Sequence, residues 1–484
     1  HLLLTMRLAI ICKVLGLLLM LFSISLLPPI GVAFWYGDQG HWTFLLAFAI
    51  TLITGLLLWY PTHDLQRELR TREGFLITAL FWLVLALFGA LPFIFFGATE
   101  LSLVDAFFES LSGLTTTGAT VLVNLDDLPR SLLYYRQQLH WLGGIGIVVI
   151  AVAILPMLGV GGMQLYRAET PGPLKDSKLT PRITETAKAL FLIYLSLTVA
   201  CGLAYWLAGM TLFDAVGHAY ATVAIGGFST HDASMGYYDS PLILIICMVF
   251  MVLSGMNFAL HFLAWQGRSL RQYFTDPECA FYLRLLLVGS AITIAYLYLS
   301  GTYSAGRSLL HGSFALITSL TTTGFLTADH STWPPGLDLF IFLTAFIGGC
   351  AGSTGGGLKV IRVLLIVKQG LGEIRRLIHP NAIQPLKIGE RTVSTRVMEA
   401  VWGFFAVYLV AYLVLCQLLL ATGLDFTTAF TAVGACINNF GPGMGEVAVH
   451  YGDLNTPAKW ILCVAMLLGR LEVFTLLVLF TPMF

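Results

Sequence analysis

The sequence predicts an all-α polytopic membrane protein: four pseudo-symmetric helix–re-entrant loop–helix repeats preceded by two extra N-terminal transmembrane helices. Three observations lead there. Of 484 residues, 57% are hydrophobic and only 11% are charged, against about 25% charged in an ordinary soluble protein. Ten apolar stretches are long enough to cross a hydrocarbon core of about 30 Å. Between them recur four stretches of only about a dozen apolar residues, the length of a re-entrant segment. The formal net charge of zero argues against a nucleic-acid partner.

The long stretches fall near 7–36, 41–60, 74–97, 133–159, 188–210, 241–266, 280–300, 336–367, 398–423 and 458–483. The first is too long for a signal-peptide core and carries no cleavage pattern, so it reads as a span. Lys and Arg set the orientation. Loops 61–73, 160–188, 267–284 and 368–396 hold 3, 5, 3 and 6 of them, all on one side if the ten spans alternate. That side is cytoplasmic, both termini lie on it, and the short stretches enter from outside. The outer side is acidic, with Asp126, Asp127, Asp232, Glu446 and Asp453 among its residues. This either concentrates cations at a mouth or merely reflects where the basic residues are not. The expected units are 1–73 for the extra helices, then repeats 74–187, 188–279, 280–396 and 397–484.

The short stretches read DAFFESLSGLTTTGAT (105–120), DAVGHAYATVAIGGFST (214–230), RSLLHGSFALITSLTTTGF (307–325) and DFTTAFTAVGACINNFGPG (425–443). Asp105, Asp214 and Asp425 each open one, as an N-cap would. In the third, Ser304 or Ser308 would have to take that place. Gly118 and Gly227 fall 13 residues after their Asp. In the fourth stretch this spacing lands on Asn438, whereas the first glycine is Gly441, so two registers fit. A short helix entering from outside ends near mid-membrane and turns its negative dipole end inward. Four such ends meeting at a central pore favour a cation there. Beyond each end the chain must turn back extended; glycine permits the angles, and irregular backbone at this depth survives only inside protein or beside water. Carbonyl rings that replace a hydration shell are the usual way to pass potassium.

Two further features stand out. Residues 348–357, GGCAGSTGGG, hold six glycines in the eighth span, which cannot persist as an ordinary helix at about 1 kcal/mol per glycine. No GK[ST] ending makes it a phosphate loop. It reads as a gate beneath the pore or as a tight Gly-rich helix crossing. Arg470 sits inside an apolar run, 463–480, which makes it a functional candidate. It faces the pore or bridges to another helix; Glu472, two positions on, is a poor partner on the same helix. No nucleophile–base pair or metal-ligand spacing points to an enzyme or an organic cofactor. The rival reading is a secondary transporter of another cation or small solute, which would usually show two repeats and ionisable coupling residues; past the aspartates that open them, the short stretches are rich in Thr, Gly and Asn and Glu109 is their only acid.

At DAFFESLSGLTTTGAT, GGMQLYRAETPGPLKD (161–176), AIGGFSTHDASMGYYDS (224–240), FIGGCAGSTGGGLKVIR (346–362), NNFGPGMGEVA (438–448) and LGRLEVFTLLVLFTP (468–482), the chain resembles the TrkH/TrkG branch of the Trk/Ktr/HKT potassium transporter superfamily. The resemblance covers nearly the whole chain. It implies potassium uptake by a homodimer in the bacterial inner membrane, each protomer with its own pore. It also implies regulation by a cytosolic, nucleotide-binding TrkA-like ring docked on the basic loops. The potassium-binding filter would comprise Thr116, Thr117 and Gly118; Ile225, Gly226 and Gly227; Thr321, Thr322, Thr323 and Gly324; and Ile437, Asn438, Asn439 and Gly441. Gating would fall to Gly348, Gly349, Gly352, Ser353, Thr354, Gly355, Gly356, Gly357 and Lys359, with Arg470 as the pore-facing arginine.

Overall fold

A computed structural model of the chain describes residues 2–65, 71–97, 100–146, 183–379 and 385–473. Among these residues the regular elements are helices, apart from one two-stranded hairpin, Lys387–Ile388 with Arg391–Thr392. The extra N-terminal spans are α1 (Leu2–Ile24) with α2 (Leu27–Tyr36), and α3 (Gly40–Trp59). Next come α4 (Thr71–Gly89), α5 (Leu91–Phe95), α6 (Leu103–Leu114) and α7 (Arg130–Trp141), the last running into a π-helical turn, Leu142–Gly146. Then follow α8 (Ile183–Leu207), α9 (Leu212–Val223), α10 (Pro241–Ser254) and α11 (Phe258–Gln266). After them stand α12 (Arg271–Thr275), α13 (Pro277–Leu299), α14 (Ala305–Leu320), α15 (Leu337–Thr344) and α16 (Val360–Ile378). The last helices are α17 (Thr395–Ala421), α18 (Phe426–Ile437) and α19 (Thr456–Arg470).

Six of the described helices are long and apolar enough to cross a membrane, or seven if the pair α10 and α11, bent by 93°, counts as one span. The remaining expected crossings depart for specific reasons. Residues 345–359 are not helical, which splits the span expected at 336–367 into α15 and α16. The spans expected at 133–159 and 458–483 run partly outside the described residues. The bend after α10 is set by Asn257, whose side chain accepts the Ala259 N–H at 2.9 Å and starts α11 as an N-cap.

All four short stretches are helices: α6, α9 and α18 have 12 residues and α14 has 16. The sequence reading misplaced two of their caps. Ser102, not Asp105, caps α6, accepting the Asp105 N–H at 3.2 Å while its hydroxyl donates to the Asp105 carboxylate at 2.7 Å. Thr211 treats Asp214 the same way. The acid sits three residues inside the helix, where a capping box has its own, but it takes the cap hydroxyl. Asp425 does cap α18, accepting the Thr428 N–H at 3.1 Å. Ser304 holds the cap position of α14 without a side-chain cap bond.

One continuous apolar core joins the N-terminal helices (Val14, Phe22, Phe44) to α6 (Phe108, Leu111) and to α17 and α19 (Leu419, Leu462). Helices α1 and α3 approach closely: a methyl on Gly16 would lie 2.7 Å from the Gly55 carbonyl, the small-residue packing that helices use in lipid. Asp38 ties this pair to α7. It accepts the Ser131 N–H at 2.9 Å, the Ser131 hydroxyl at 2.8 Å and the Gly40 N–H at 2.9 Å. Asp38→Ala is expected to destabilise the protein by about 1–2 kcal/mol, measured as earlier thermal unfolding in detergent, with Asp38→Asn losing less.

Candidate functional site

Each short helix ends in the same closure. Thr117 N–H donates to Ser112 O at 2.9 Å and Thr116 N–H to Gly113 O at 3.1 Å; the matching bonds run from Gly226 and Ile225, Thr323 and Thr322, and Phe440 and Asn439. This is the Schellman arrangement, whose left-handed residue is usually glycine. Here Thr116, Ile225, Thr322 and Asn439 occupy it, with φ of 55°, 56°, 64° and 51°. Three of the four are β-branched, so about 1–3 kcal/mol of strain is held at each. Two residues on, Gly118, Gly227, Gly324 and Gly441 again have positive φ, from 79° to 99°.

The four turns meet. A methyl on Gly118 would collide with the Gly226 carbonyl oxygen, one on Gly227 with that of Thr323, one on Gly324 with that of Phe440, and one on Gly441 with that of Thr117. The contacts pass from turn to turn and close on themselves. The C-terminal ends of α6, α9, α14 and α18 therefore converge on one ring, where their dipoles favour positive charge. Side chains brace the ring from behind: Thr115 to Thr117 and Thr321 to Thr323, both 2.7 Å between hydroxyls. Asn439 donates from Nδ2 to the Thr117 hydroxyl and the Met466 carbonyl, both at 3.0 Å.

The shared closure fixes the fourth register. Gly441 matches Gly118, and the turn is Asn439, Phe440 and Gly441. Asn438 is the helix C-cap, equivalent to Thr115 and Thr321, and its side chain points away to Tyr408 (2.7 Å) and Gly434 O (2.8 Å). Ile437 ends the helix. Counted from the true caps, the glycine lies sixteen residues after Ser102, Thr211 and Asp425 alike. In the third repeat it lies twenty after Ser304, one further helical turn. Phe440, absent from the expected residues, belongs to the ring.

The glycine-rich segment is an irregular loop against the helix end of this ring. Gly356 N–H donates to the Thr322 hydroxyl at 2.7 Å and the Thr354 hydroxyl to Val223 O at 2.9 Å. A methyl on Gly356 would collide with Asn438 O, and one on Gly355 would lie 2.9 Å from Thr321 O. Gly348, Gly352 and Gly357 have positive φ, as does Lys359 at 79°. Lys359 Nζ turns back onto the Gly355 carbonyl. Ser353 closes on Cys350 O at 2.6 Å, and Gly349 packs on Gly255, whose carbonyl accepts Cys350 N–H at 2.8 Å. Arg470 ends α19 with its guanidinium donating to the Gly143 and Gly144 carbonyls and 5.3 Å from the centre of the Trp82 ring. Glu472 pairs with Arg362 at 2.7 Å.

Sequence reasoning missed Glu278. From the start of α13 it accepts Ala351 N–H at 2.7 Å and Ile361 N–H at 3.2 Å, tying the middle of the loop to the first turn of α16. Its partners are backbone amides, which leave no side-chain signal to read.

At the glycine end of the ring, His231 joins neighbouring repeats. Nδ1 meets Asp126 Oδ1 at 2.5 Å, Nε2 lies 3.5 Å from Asp214 Oδ2, and the ring stacks on Tyr237 at 3.5 Å. Burial alone would lower this imidazole, but hydrogen bonds and charge from Asp214 and Asp126 outweigh it and hold it above the ordinary 6.5. The ion pairs' contribution is therefore complete below 6.5 and fades as pH rises through the raised value. Wild-type thermal stability in detergent should fall over that rise, and His231→Gln should remove the dependence.

Fold and site together define a multi-pass, all-α membrane protein with four converging re-entrant turns. Residues 40–484 match the family model described as TrkH, cation transport protein, and the chain belongs to this family, which comprises transporters rather than enzymes. It is 57% identical to the Trk system potassium uptake protein TrkH of Halomonas elongata, with 99% of each chain covered. It is 54% identical to that of Escherichia coli K12, covering 98% of each. The crystal structure of the potassium transporter TrkH from Vibrio parahaemolyticus superimposes with a TM-score of 0.89 at 48% identity, over 98% of both chains.

Proposed function

We propose that this chain is the potassium-translocating subunit of a bacterial uptake system and that the closed ring is its selectivity filter. The ring carries the reading: four left-handed turns, each backed by a helix C-terminus, abut in cyclic order. Dehydrated potassium passes along an axis ringed by the carbonyls of Thr116–Gly118, Ile225–Gly227, Thr322–Gly324 and Asn439–Gly441. The relatives' names as potassium uptake proteins support the choice of ion.

The loop 348–357 with Lys359 gates the helix end of the filter, and Arg470 adds a positive charge that tunes cation occupancy below it. Residues 1–73 are an appendage to repeats 74–187, 188–279, 280–396 and 397–484. The protein works as a homodimer in the inner membrane with both termini cytoplasmic. A cytosolic TrkA-like nucleotide-binding ring docks on the basic loops and moves the gate. The test is growth and Rb⁺ uptake at limiting potassium in a bacterium stripped of its own uptake systems, with the cognate cytosolic partner supplied. Rescue supports the reading; failure of well-inserted protein overturns it.

A further inference from the structure

Glu109 and Arg136 form an ion pair that is almost wholly enclosed, with side chains 0% and 1% exposed. Burying two charges costs several kcal/mol per ion unless the geometry repays it, so the arrangement around them matters. Arg136 Nε donates to Glu109 Oε1 at 2.8 Å, Nη1 to Ser229 O at 3.1 Å, and Nη2 to the Thr120 hydroxyl at 3.1 Å. Its guanidinium lies 4.1 Å from the centre of the Phe228 ring. Glu109 in turn accepts the Thr120 hydroxyl at 2.9 Å and Val121 N–H at 2.9 Å. Thr120 and Val121 belong to the strand leaving the first filter turn, and Phe228 and Ser229 to the strand leaving the second.

Neighbouring repeats elsewhere around the ring are also tied to one another. Gly236 N–H reaches Leu326 O at 3.0 Å between the second and third repeats, and Tyr451 N–H reaches Thr120 O at 2.7 Å between the fourth and first. Between the first and second repeats, α7 makes the join beside the turns through Arg136 and Gln137, whose Nε2 donates to Phe228 O at 3.2 Å, and further out Asp126 meets His231 Nδ1 at 2.5 Å and accepts the Asp232 N–H at 3.3 Å.

We propose that Arg136 is a positioning residue for ion discrimination: its guanidinium sets the distance between the first and second filter turns, and Glu109 neutralises it beside a cation pathway. A planar fork can address a carboxylate and two strands at once; the point charge of lysine cannot. The inference rests on the ring being the filter, so the test carries a control for that reading. Rb⁺ uptake and its inhibition by Na⁺ are measured per inserted copy for wild type, Arg136→Lys, Thr120→Val and Gly118→Ser.

Arg136→Lys keeps a charge for Glu109 but loses a strand contact. It should lower Rb⁺/Na⁺ discrimination about tenfold, the size of one lost charge-assisted hydrogen bond, with membrane levels near wild type. Thr120→Val, which removes the other end of the strap, should shift discrimination in the same direction and decides the matter if Arg136→Lys fails to insert. A purely structural pair would change protein levels and leave the ratio per copy untouched, which overturns the proposal. Unchanged ratios in these variants beside an altered Gly118→Ser would refute the strap and spare the filter. An unaltered Gly118→Ser would remove both.

Discussion

Gly118→Ser is expected to insert into the membrane at near wild-type levels and to lose potassium-selective uptake. Two costs fall on the same atom. The backbone at 118 has φ of 79°, where an L side chain costs about 1–2 kcal/mol. The added Cβ would also occupy the place of the Gly226 carbonyl oxygen, so the neighbouring turn must move outward. Displacing one quadrant by a fraction of an ångström widens the ring, and a widened ring coordinates dehydrated potassium less well. Discrimination against Na⁺ should fall about tenfold or more, the equivalent of losing at least 1–2 kcal/mol of this packing. The measurement is Na⁺ inhibition of Rb⁺ uptake per inserted copy. Unchanged discrimination in a folded variant would remove Gly118 from the filter. The equivalent changes at Gly227, Gly324 and Gly441 should act alike, because each meets the next turn's carbonyl.

Glu278→Ala should loosen the loop rather than the filter. The substitution leaves Ala351 N–H and Ile361 N–H without their shared acceptor. Orphaned buried amides cost about 1–3 kcal/mol each. The loop keeps its bonds to Thr322, Val223, Gly255 and Phe258, so it is expected to loosen around Ala351 rather than to come free. Flux without the regulatory partner is expected to rise several-fold as the obstruction loosens, while K⁺/Na⁺ discrimination stays near wild type. Glu278→Gln retains an acceptor oxygen and should show a smaller rise. Proteoliposome Rb⁺ flux with the isolated protein checks both; equal flux in wild type and Glu278→Ala would mean that the loop does not obstruct the path.

Membrane class, the four short helices and the glycine-rich break were all legible in the sequence, because length, apolarity and clustered glycine are local signals. The register of the fourth turn was not. An aspartate at the cap itself and one three residues inside the helix both mark a helix start, so Asp105 and Asp425 looked equivalent when Ser102 and Asp425 are. Three residues of offset followed from that single ambiguity. The αL positions were also hidden, since Thr116, Ile225 and Thr322 are residue types that disfavour positive φ; the Schellman closure of each helix and the packing of the adjacent turns hold them there. Glu109 stands out as the one acid inside a short stretch, but its partner Arg136 lies 27 residues on, in another helix. Arg362 and Glu472 are 110 residues apart, and no spacing rule joins them.

The most direct test of the ring as filter is anomalous diffraction from crystals of the purified protein grown with Rb⁺ in place of K⁺. The account predicts peaks on the axis between the Thr116–Gly118, Ile225–Gly227, Thr322–Gly324 and Asn439–Gly441 turns, within coordinating distance of their backbone oxygens. Well-ordered turns with no peak between them, or Rb⁺ bound only elsewhere in the protein, would contradict it.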